Sequence, residues 1–122
     1  ESELLAFVNR ATLSPKTSHT ITSRADLIHD LAATRARGYS IDSEENVGDV
    51  RCVGAPVYSR SRKVIAGISI TSQASRVDPD KVAYYGTLVH NAALKVSRRM
   101  GFGEADLYWD RDSSTGVAVQ AG

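Results

Sequence analysis

Apolar side chains recur at helical spacing in three segments of the chain, which predicts three helices. The first covers residues 1 to about 10, the second runs from about 24 to 37, and the third from 79 to about 100. The pattern is carried by Leu4, Leu5 and Val8 in the first helix, by Leu27, Ile28, Leu31 and Ala32 in the second, and by Val82, Tyr85, Leu88, Val89, Ala92, Ala93, Val96 and Met100 in the third. Residues 12–22 are rich in Ser, Thr and Pro, which favours a loop between the first two helices.

Residues at the ends of these segments indicate where the second and third helices begin and end. Ser23 offers a side-chain oxygen as N-cap, and Asp26 follows three residues later, as in a capping box. Gly38 is suited to the left-handed conformation that ends many helices. Asp78 followed by Pro79 is a typical cap and first-turn pair, so we expect the long helix to begin there.

Three shorter segments have the pattern of β-strands. Residues 39–42 can form a short strand, and residues 51–58 (RCVGAPVY) and 63–71 (KVIAGISIT) are clearer ones. The polar residues between the last two predict a hairpin that turns at Arg60 and Ser61. The order of these elements predicts an α+β fold in which helices pack against an antiparallel sheet.

The predicted hairpin assigns side chains to the two faces of the sheet. With the turn at Arg60 and Ser61, residues whose numbers sum to 121 face each other, so Cys52 lies opposite Ser69. Thr71 is two residues further along and shares their face. The small residues Gly54 and Gly67 leave room above that face. The other face is predicted to pack against helices and carries Val64, Ala66, Ile68 and Ile70.

Composition and charge exclude several classes of protein. A length of 122 residues fits one domain, and a formal net charge of +1 gives no general attraction to nucleic acids or acidic membranes. The single cysteine excludes an intrachain disulfide and a Cys-rich zinc site. No signal-peptide pattern and no apolar run near the ~18 residues of a membrane span are present. We therefore expect a cytoplasmic protein without a membrane partner.

Several separated motifs occur in an order that resembles one family. They are the run RARGYSIDSEENVGDVRCVGAPVYSRSRKVIAGISITS, then SRVDP, and a helix that ends KVSRRMGFG. Over residues 4 to 101 the chain resembles the C-terminal effector-binding domain of the IclR family of bacterial transcription regulators. The resemblance implies a GAF/profilin-like domain, of which residues 1–101 would be the C-terminal part and residues 102–122 an extension. The family's N-terminal winged helix-turn-helix and most of the first half of its effector domain have no counterpart in this sequence.

The resemblance also implies a function. Asp42, Cys52, Ser69 and Thr71 match the polar pocket positions of the family, where they would bind a small metabolite such as an organic or aromatic acid. Hydroxyl and thiol groups can donate to a carboxylate, and Asp42 can accept from a ligand hydroxyl. The family resemblance implies a homo-oligomer, either a dimer or a tetramer. DNA would be bound only through the N-terminal domain outside this chain, and no cofactor or metal is expected.

Simpler explanations exist for each of these four residues. Asp42 can equally be a carboxylate that caps a turn, and a single cysteine such as Cys52 is usually a buried, inert side chain. The hydroxyls of Ser69 and Thr71 often bond only to local backbone. The functional interpretation of these positions therefore depends on the resemblance.

Two other functions remain open from the residues. An enzyme would use Cys52 as nucleophile with His19, His29 or His90 as its base, but no nearby feature lowers the pKa of a thiol in a strand. We therefore expect no enzymatic activity. A domain that only mediates oligomerisation, without a ligand, is the second alternative.

Overall fold

Three helices and three strands, with one short helical turn, form the part of the protein that the computed structural model describes, residues 2–103. In chain order they are α1 (Ser2–Arg10), α2 (Arg24–Arg37), β1 (Ser40–Ser43), β2 (Val50–Tyr58), β3 (Val64–Gln73), a 3₁₀ turn (Ala74–Arg76) and α3 (Pro79–Arg99). The strands form one antiparallel sheet in the order β1-β2-β3. The predicted α+β fold is confirmed.

The helix ends follow the predicted caps with one exception. The Ser23 hydroxyl accepts from the backbone N–H of Asp26 at 3.3 Å, and Gly38 ends α2 in the left-handed conformation with φ 84°. Asp78 precedes α3, but its side chain forms no capping hydrogen bond. Its carboxylate instead lies 3.6 Å from the ammonium group of Lys81. The helix begins at Pro79 as predicted, but Asp78 provides no side-chain cap, because its carboxylate pairs with the Lys81 ammonium group and not with a backbone N–H of the first turn.

The core lies between α3 and one face of the sheet. Val53, Ala55 and Val57 alternate along β2 and are buried, and they pack in one cluster with buried residues of α3 and its approach, namely Val77, Val82, Val89 and Ala93. Burying an aliphatic side chain of this size stabilises a fold by about 1.5–3 kcal/mol. Because side chains alternate along a strand, this packing turns Cys52 and Gly54 to the opposite face.

A close contact between α3 and the start of β1 depends on a glycine. A methyl group at Gly86 would overlap the ring of Tyr39, which packs against the edge of the core. Glycine normally weakens the interior of a helix. Its presence in α3 is explained by the space that the aromatic ring occupies.

The face of β3 that was predicted to pack against helices is mostly exposed. Ile68 packs against the core, whereas Val64 is 62% exposed and Ile70 and Ala66 are also exposed. This prediction was wrong for three of the four residues, because α3 lies over β2 and β3 is an edge strand in the part of the chain that the structure describes.

The predicted register of the hairpin was also wrong, by two residues. Cys52 pairs with Thr71 and Gly54 with Ser69. The loop has three residues rather than two, since Ser59 N donates to the carbonyl of Lys63 and Arg62 takes the left-handed conformation that such loops use. A bulge between Val57 and Tyr58 adds a second shift. The two shifts together preserve the predicted faces, because side chains repeat every two residues.

We predict that Gly86→Ala destabilises the protein by about 1–3 kcal/mol, although alanine favours a helix over glycine, because the added methyl displaces the Tyr39 ring. Urea unfolding followed by circular dichroism measures the change. Gly48→Ala is the matched control, since a methyl group there would have no neighbour within 4 Å. Equal stability of the Gly86→Ala and wild-type proteins would show that the ring contact is not tight.

Candidate functional site

Three of the predicted site residues form one row across the sheet. Asp42 on β1 pairs with Cys52 on β2, and Cys52 pairs with Thr71 on β3. The Cys52 sulfur lies 3.3 Å from the Thr71 hydroxyl oxygen, within hydrogen-bonding distance for sulfur. A carboxylate, a half-buried thiol and a hydroxyl therefore lie side by side on the face opposite α3.

The fourth predicted residue, Ser69, belongs to the next row along the same face. Ser40, Gly54 and Ser69 pair directly across the three strands. The Ser40 hydroxyl donates to the carbonyl of Gly54 at 3.2 Å. A methyl group at Gly54 would lie 3.3 Å from the Ser40 oxygen and 3.7 Å from the Cβ of Ser69, so glycine keeps this row open. The sequence interpretation missed Ser40, although it lies two residues before Asp42.

The carboxylate of Asp42 also stabilises the turn after β1. Its Oδ1 atom accepts from the backbone N–H of Glu45 at 2.9 Å. Glu44 takes the left-handed conformation with φ 61°, and its own carboxylate accepts from the N–H of Asp49 at 3.0 Å. The turn-capping alternative for Asp42 is therefore present in the structure. It orients Asp42 at the end of the first polar row.

Two threonines of the loop between α1 and α2 form hydrogen bonds to backbone carbonyls of this turn. The hydroxyl of Thr17 donates to the carbonyl of Glu44 and that of Thr20 to the carbonyl of Glu45, both at 2.5 Å. Thr20 also accepts from the N–H groups of Lys16 and Thr17, at 2.9 Å each. The loop therefore positions the turn that carries Asp42, a role that the loop prediction alone did not include.

A groove of about 860 Å³ lies beside the second polar row, where the pairing of β1 with β2 ends. Its lining includes Ser69 but not Asp42, Cys52 or Thr71. Most of the lining is apolar, and its polar side chains comprise two arginines, a histidine, two tyrosines and three hydroxyl residues, namely Arg35, Arg62, His90, Tyr39, Tyr58, Thr34, Ser40 and Ser69. Among the described residues that line the groove, none is acidic.

His90 joins α3 to the end of α2 at this groove. Its Nδ1 atom lies 2.9 Å from the carbonyl oxygen of Gly38. A carbonyl only accepts, so Nδ1 carries the proton. A methyl group at position 38 would lie 2.7–2.8 Å from two atoms of the His90 ring. This close contact and the left-handed φ of 84° both favour glycine at this position. His90 is thereby fixed as a groove-lining side chain and is not bonded to Cys52.

The edge of β2 that borders the groove offers few donors to another strand. Beyond Gly54, no residue of β1 pairs with β2. Pro56 has no N–H, and the N–H of Tyr58 donates to the hydroxyl of Ser97 at 2.9 Å. Ser97 is 0% exposed and its hydroxyl donates to the carbonyl of Ala93 at 2.7 Å. Along this edge, neither Pro56 nor Tyr58 therefore has a backbone N–H available for another strand.

Comparison with known proteins assigns the family. A family model described as "Bacterial transcriptional regulator IclR C-terminal" matches residues 1–98. The chain belongs to the IclR family of bacterial transcriptional regulators. It is 39% identical over 102 residues to the HTH-type transcriptional regulator XynR and 37% identical over 101 residues to the transcriptional repressor IclR, both of Escherichia coli K12.

Solved structures of IclR-family proteins have the same fold. The IclR protein of Thermotoga maritima matches with a TM-score of 0.77 at 34% identity, over 83% of this chain and 41% of that one. The C-terminal domain of E. coli KdgR matches with a TM-score of 0.74 at 34% identity, over 83% of this chain and 62% of that domain. The alignments cover 84% of this chain and 40% of XynR, and 83% of this chain and 37% of the IclR repressor.

These findings confirm the family resemblance and the expected class of protein. IclR-family proteins are transcription regulators and not enzymes. Within residues 2–103, no helix is both long and apolar enough to cross a membrane, and no three His, Cys, Asp or Glu side chains converge in a way that could hold a metal ion. The domain boundary at 101 stays a prediction. Phe102, the first residue of the predicted extension, is buried against the domain. Residues 104–122 of that extension lie outside the described residues.

One carboxyl group next to the first polar row has a shifted pKa. Partial burial raises the pKa of Glu45 above its ordinary value of 4.5; a hydrogen bond from the backbone of Ser43 opposes the rise, and the charges of Asp42 and Asp30 add to it. Folding therefore favours the neutral form of Glu45 more than the unfolded chain does.

We predict that Ser97→Ala destabilises the IclR-family chain by about 1–3 kcal/mol, because the partly buried N–H of Tyr58 loses its acceptor. Thermal or urea unfolding measures the loss. Thr87→Ala is the matched control, since Thr87 makes the same bond to the carbonyl four residues earlier on α3 but is exposed. A similar effect in both variants would mean that the bond within the helix, and not the bond to Tyr58, is what matters.

A second prediction concerns pH. A group whose folded pKa is raised favours folding below its unfolded pKa and loses that contribution as pH rises through the folded value. Glu45→Gln removes the titration, so we expect the variant to gain stability relative to the wild type as pH rises from about 4 to 7. Urea unfolding across this range gives the difference in the free energy of unfolding. Parallel profiles of the two proteins would contradict the assignment.

Proposed function

We propose that this chain is part of the effector-binding domain of an IclR-family regulator, and that a small carboxylic acid binds on the polar face formed by Asp42, Cys52, Ser69 and Thr71. The observation that carries the proposal is that four positions matched by the family resemblance lie in two adjacent rows on one face of the sheet. The pairing of three separate strands brings these side chains together. This observation does not depend on the family resemblance.

The chemistry of this face and of the neighbouring groove favours an acid with an apolar body. Thr71, Ser69 and the thiol of Cys52 can donate to carboxylate oxygens. The groove next to Ser69 is mostly apolar and carries arginine and histidine without an acidic side chain among its described lining residues. Such a lining is complementary to a negative charge attached to hydrocarbon. The relatives offer one parallel, since a double mutant of the inducer-binding domain of PobR from Acinetobacter, 25% identical with a TM-score of 0.70, was solved with 3-hydroxybenzoic acid.

The proposal includes the role of the domain in the whole regulator. DNA would be bound by an N-terminal winged helix-turn-helix, and the effector would act by binding one arrangement of the subunits more tightly than another. We expect a dimer or tetramer in the cytoplasm, with no cofactor.

Oligomerisation without a ligand is a second candidate, which one observation favours. Tyr84, Leu88 and Val96 of α3 are 63%, 45% and 41% exposed, and apolar side chains grouped on one helix often mark an interface. Sedimentation of the chain across a range of concentrations tests self-association, and the experiment on Cys52 described next tests ligand binding.

Labelling of Cys52, the only cysteine of the chain, tests the effector proposal directly. We expect 3-hydroxybenzoic acid, or another acid from a panel with acetate, pyruvate and benzoate, to slow the reaction of Cys52 with a thiol reagent. At ten times its Kd a ligand leaves about one eleventh of the protein free, so the rate falls about tenfold. Ser69→Ala and Thr71→Val should each raise the half-protecting concentration about tenfold, because each removes a hydrogen bond to a charged group.

Ser72→Ala is the matched control, since Ser72 is adjacent in β3 but pairs with Arg51 and points to the other face. It should leave the half-protecting concentration unchanged. Protection by no acid of the panel would reject the proposed site and favour the oligomerisation domain. Rapid labelling near pH 7 without any acid would indicate an activated thiolate, which a binding face does not need.

A further inference from the structure

One ring nitrogen of His90 is held by the protein and the other is available. Nδ1 donates to the carbonyl of Gly38 at 2.9 Å, which fixes the proton on that atom. In the neutral ring, Nε2 then carries a lone pair and only accepts. Within residues 2–103 no hydrogen bond to Nε2 is formed, and no buried side-chain nitrogen or oxygen lacks a partner. Nε2 is therefore accessible from outside the protein.

This nitrogen differs chemically from the other polar atoms of the groove. His90 lines the groove together with Ser69. The hydroxyl groups of the lining both donate and accept, and arginine side chains only donate. Among the described lining residues there is no Asp, Glu, Asn or Gln. Of the side-chain atoms in the described lining, only Nε2 of the neutral His90 ring accepts without being able to donate.

An acceptor of this kind selects for a donor on the ligand. An ammonium group would need a negative charge beside it, and the described lining contains no acidic side chain. A hydroxyl group is a neutral donor and satisfies Nε2 without such a charge. The rings of Tyr39, Tyr58 and Phe102 also line the groove, which suits an aromatic body.

We propose that Nε2 of His90 accepts a hydrogen bond from the hydroxyl group of an aromatic acid, and thereby makes the site selective for hydroxylated acids. The inference rests on the proposed function, in which the carboxylate of the same ligand binds at the polar face that includes Ser69. It adds a residue of α3 to the site. The carbonyl of Gly38, at the end of α2, fixes the ring form that the ligand meets.

NMR of the nitrogen-labelled histidine rings tests the first step without any ligand. At about pH 8, where histidine side chains are ordinarily neutral, we expect His90 to carry its proton on Nδ1. Loss of one set of ring signals in His90→Asn assigns the resonances of this residue. A proton on Nε2, or a ring that exchanges between both forms, would overturn the proposal.

Calorimetric titration of the 122-residue chain tests the selectivity. The ligands are 3- and 4-hydroxybenzoate, each compared with the fluorobenzoate that has fluorine in place of the hydroxyl and cannot donate. We expect one hydroxybenzoate to bind about three- to tenfold more tightly than its fluorinated partner, as for one neutral hydrogen bond. His90→Asn retains an amide N–H for the carbonyl of Gly38 but has no acceptor at the place of Nε2. In this variant the ratio should fall to about one, with the affinity for the fluorobenzoate unchanged.

Asn91→Ala is the matched control, because Asn91 is adjacent on α3 but lines a separate cavity of about 270 Å³ and not the groove. It should keep the wild-type ratio, and circular dichroism checks that both variants are folded. Equal affinities within each pair of acids, an unchanged ratio in His90→Asn, or no binding of any of the acids would each overturn the assignment of His90.

The labelling of Cys52 separates this inference from the proposed effector site. Protection of Cys52 by hydroxylated and fluorinated acids alike would leave the effector site standing and reject the role of His90. A preference for the hydroxyl that depends on His90, without protection of Cys52, would support the role of His90 and reject the polar face as the place of the carboxylate.

Discussion

The alternation of β2 under α3 is the constraint on which the rest of the structure depends. Val53, Ala55 and Val57 face the long helix and are buried there, and this packing fixes the orientation of the whole strand. Cys52 and Gly54 point away from α3. Because directly paired residues on neighbouring strands share a face, their partners on β1 and β3 also lie on the face opposite α3. The polar face is thus a consequence of core packing on the other side, and no separate interaction is needed to assemble it.

Bonds from side chains to backbone groups hold the segments that surround this sheet. Arg51 links β2 to the segment before α3, with bonds to the carbonyls of Ala74 and Val77, and to β1 through the hydroxyl of Ser43 at 3.2 Å. Thr17 and Thr20 attach the first loop to the turn after β1. In each case a polar side chain satisfies backbone groups that lie beyond the regular elements, as folded proteins require. These bonds hold the ends of the polar rows in place in a domain with a small core.

Ser69 belongs to the polar face and also lines the groove, so the two surfaces adjoin there. The proposed function uses chemical groups from both surfaces. The rows supply donors for a carboxylate, and the groove supplies apolar surface with positive charge. Members of the IclR family are transcription regulators, so a site of this kind would act through binding rather than catalysis.

The sequence by itself determined the helices and strands, the caps of α2 at Ser23 and Gly38, and which residues share a face of the sheet. These features follow from local periodicity and local backbone preferences. It also carried the family motifs. Only the tertiary structure decided that Cys52 pairs with Thr71, since a three-residue loop and a bulge each moved the register by one. Likewise the contact of Gly86 with Tyr39, the burial of Ser97 and the exposure of Val64 depend on where α3 crosses the sheet. That crossing is set by packing between residues far apart in the chain, which local patterns do not encode.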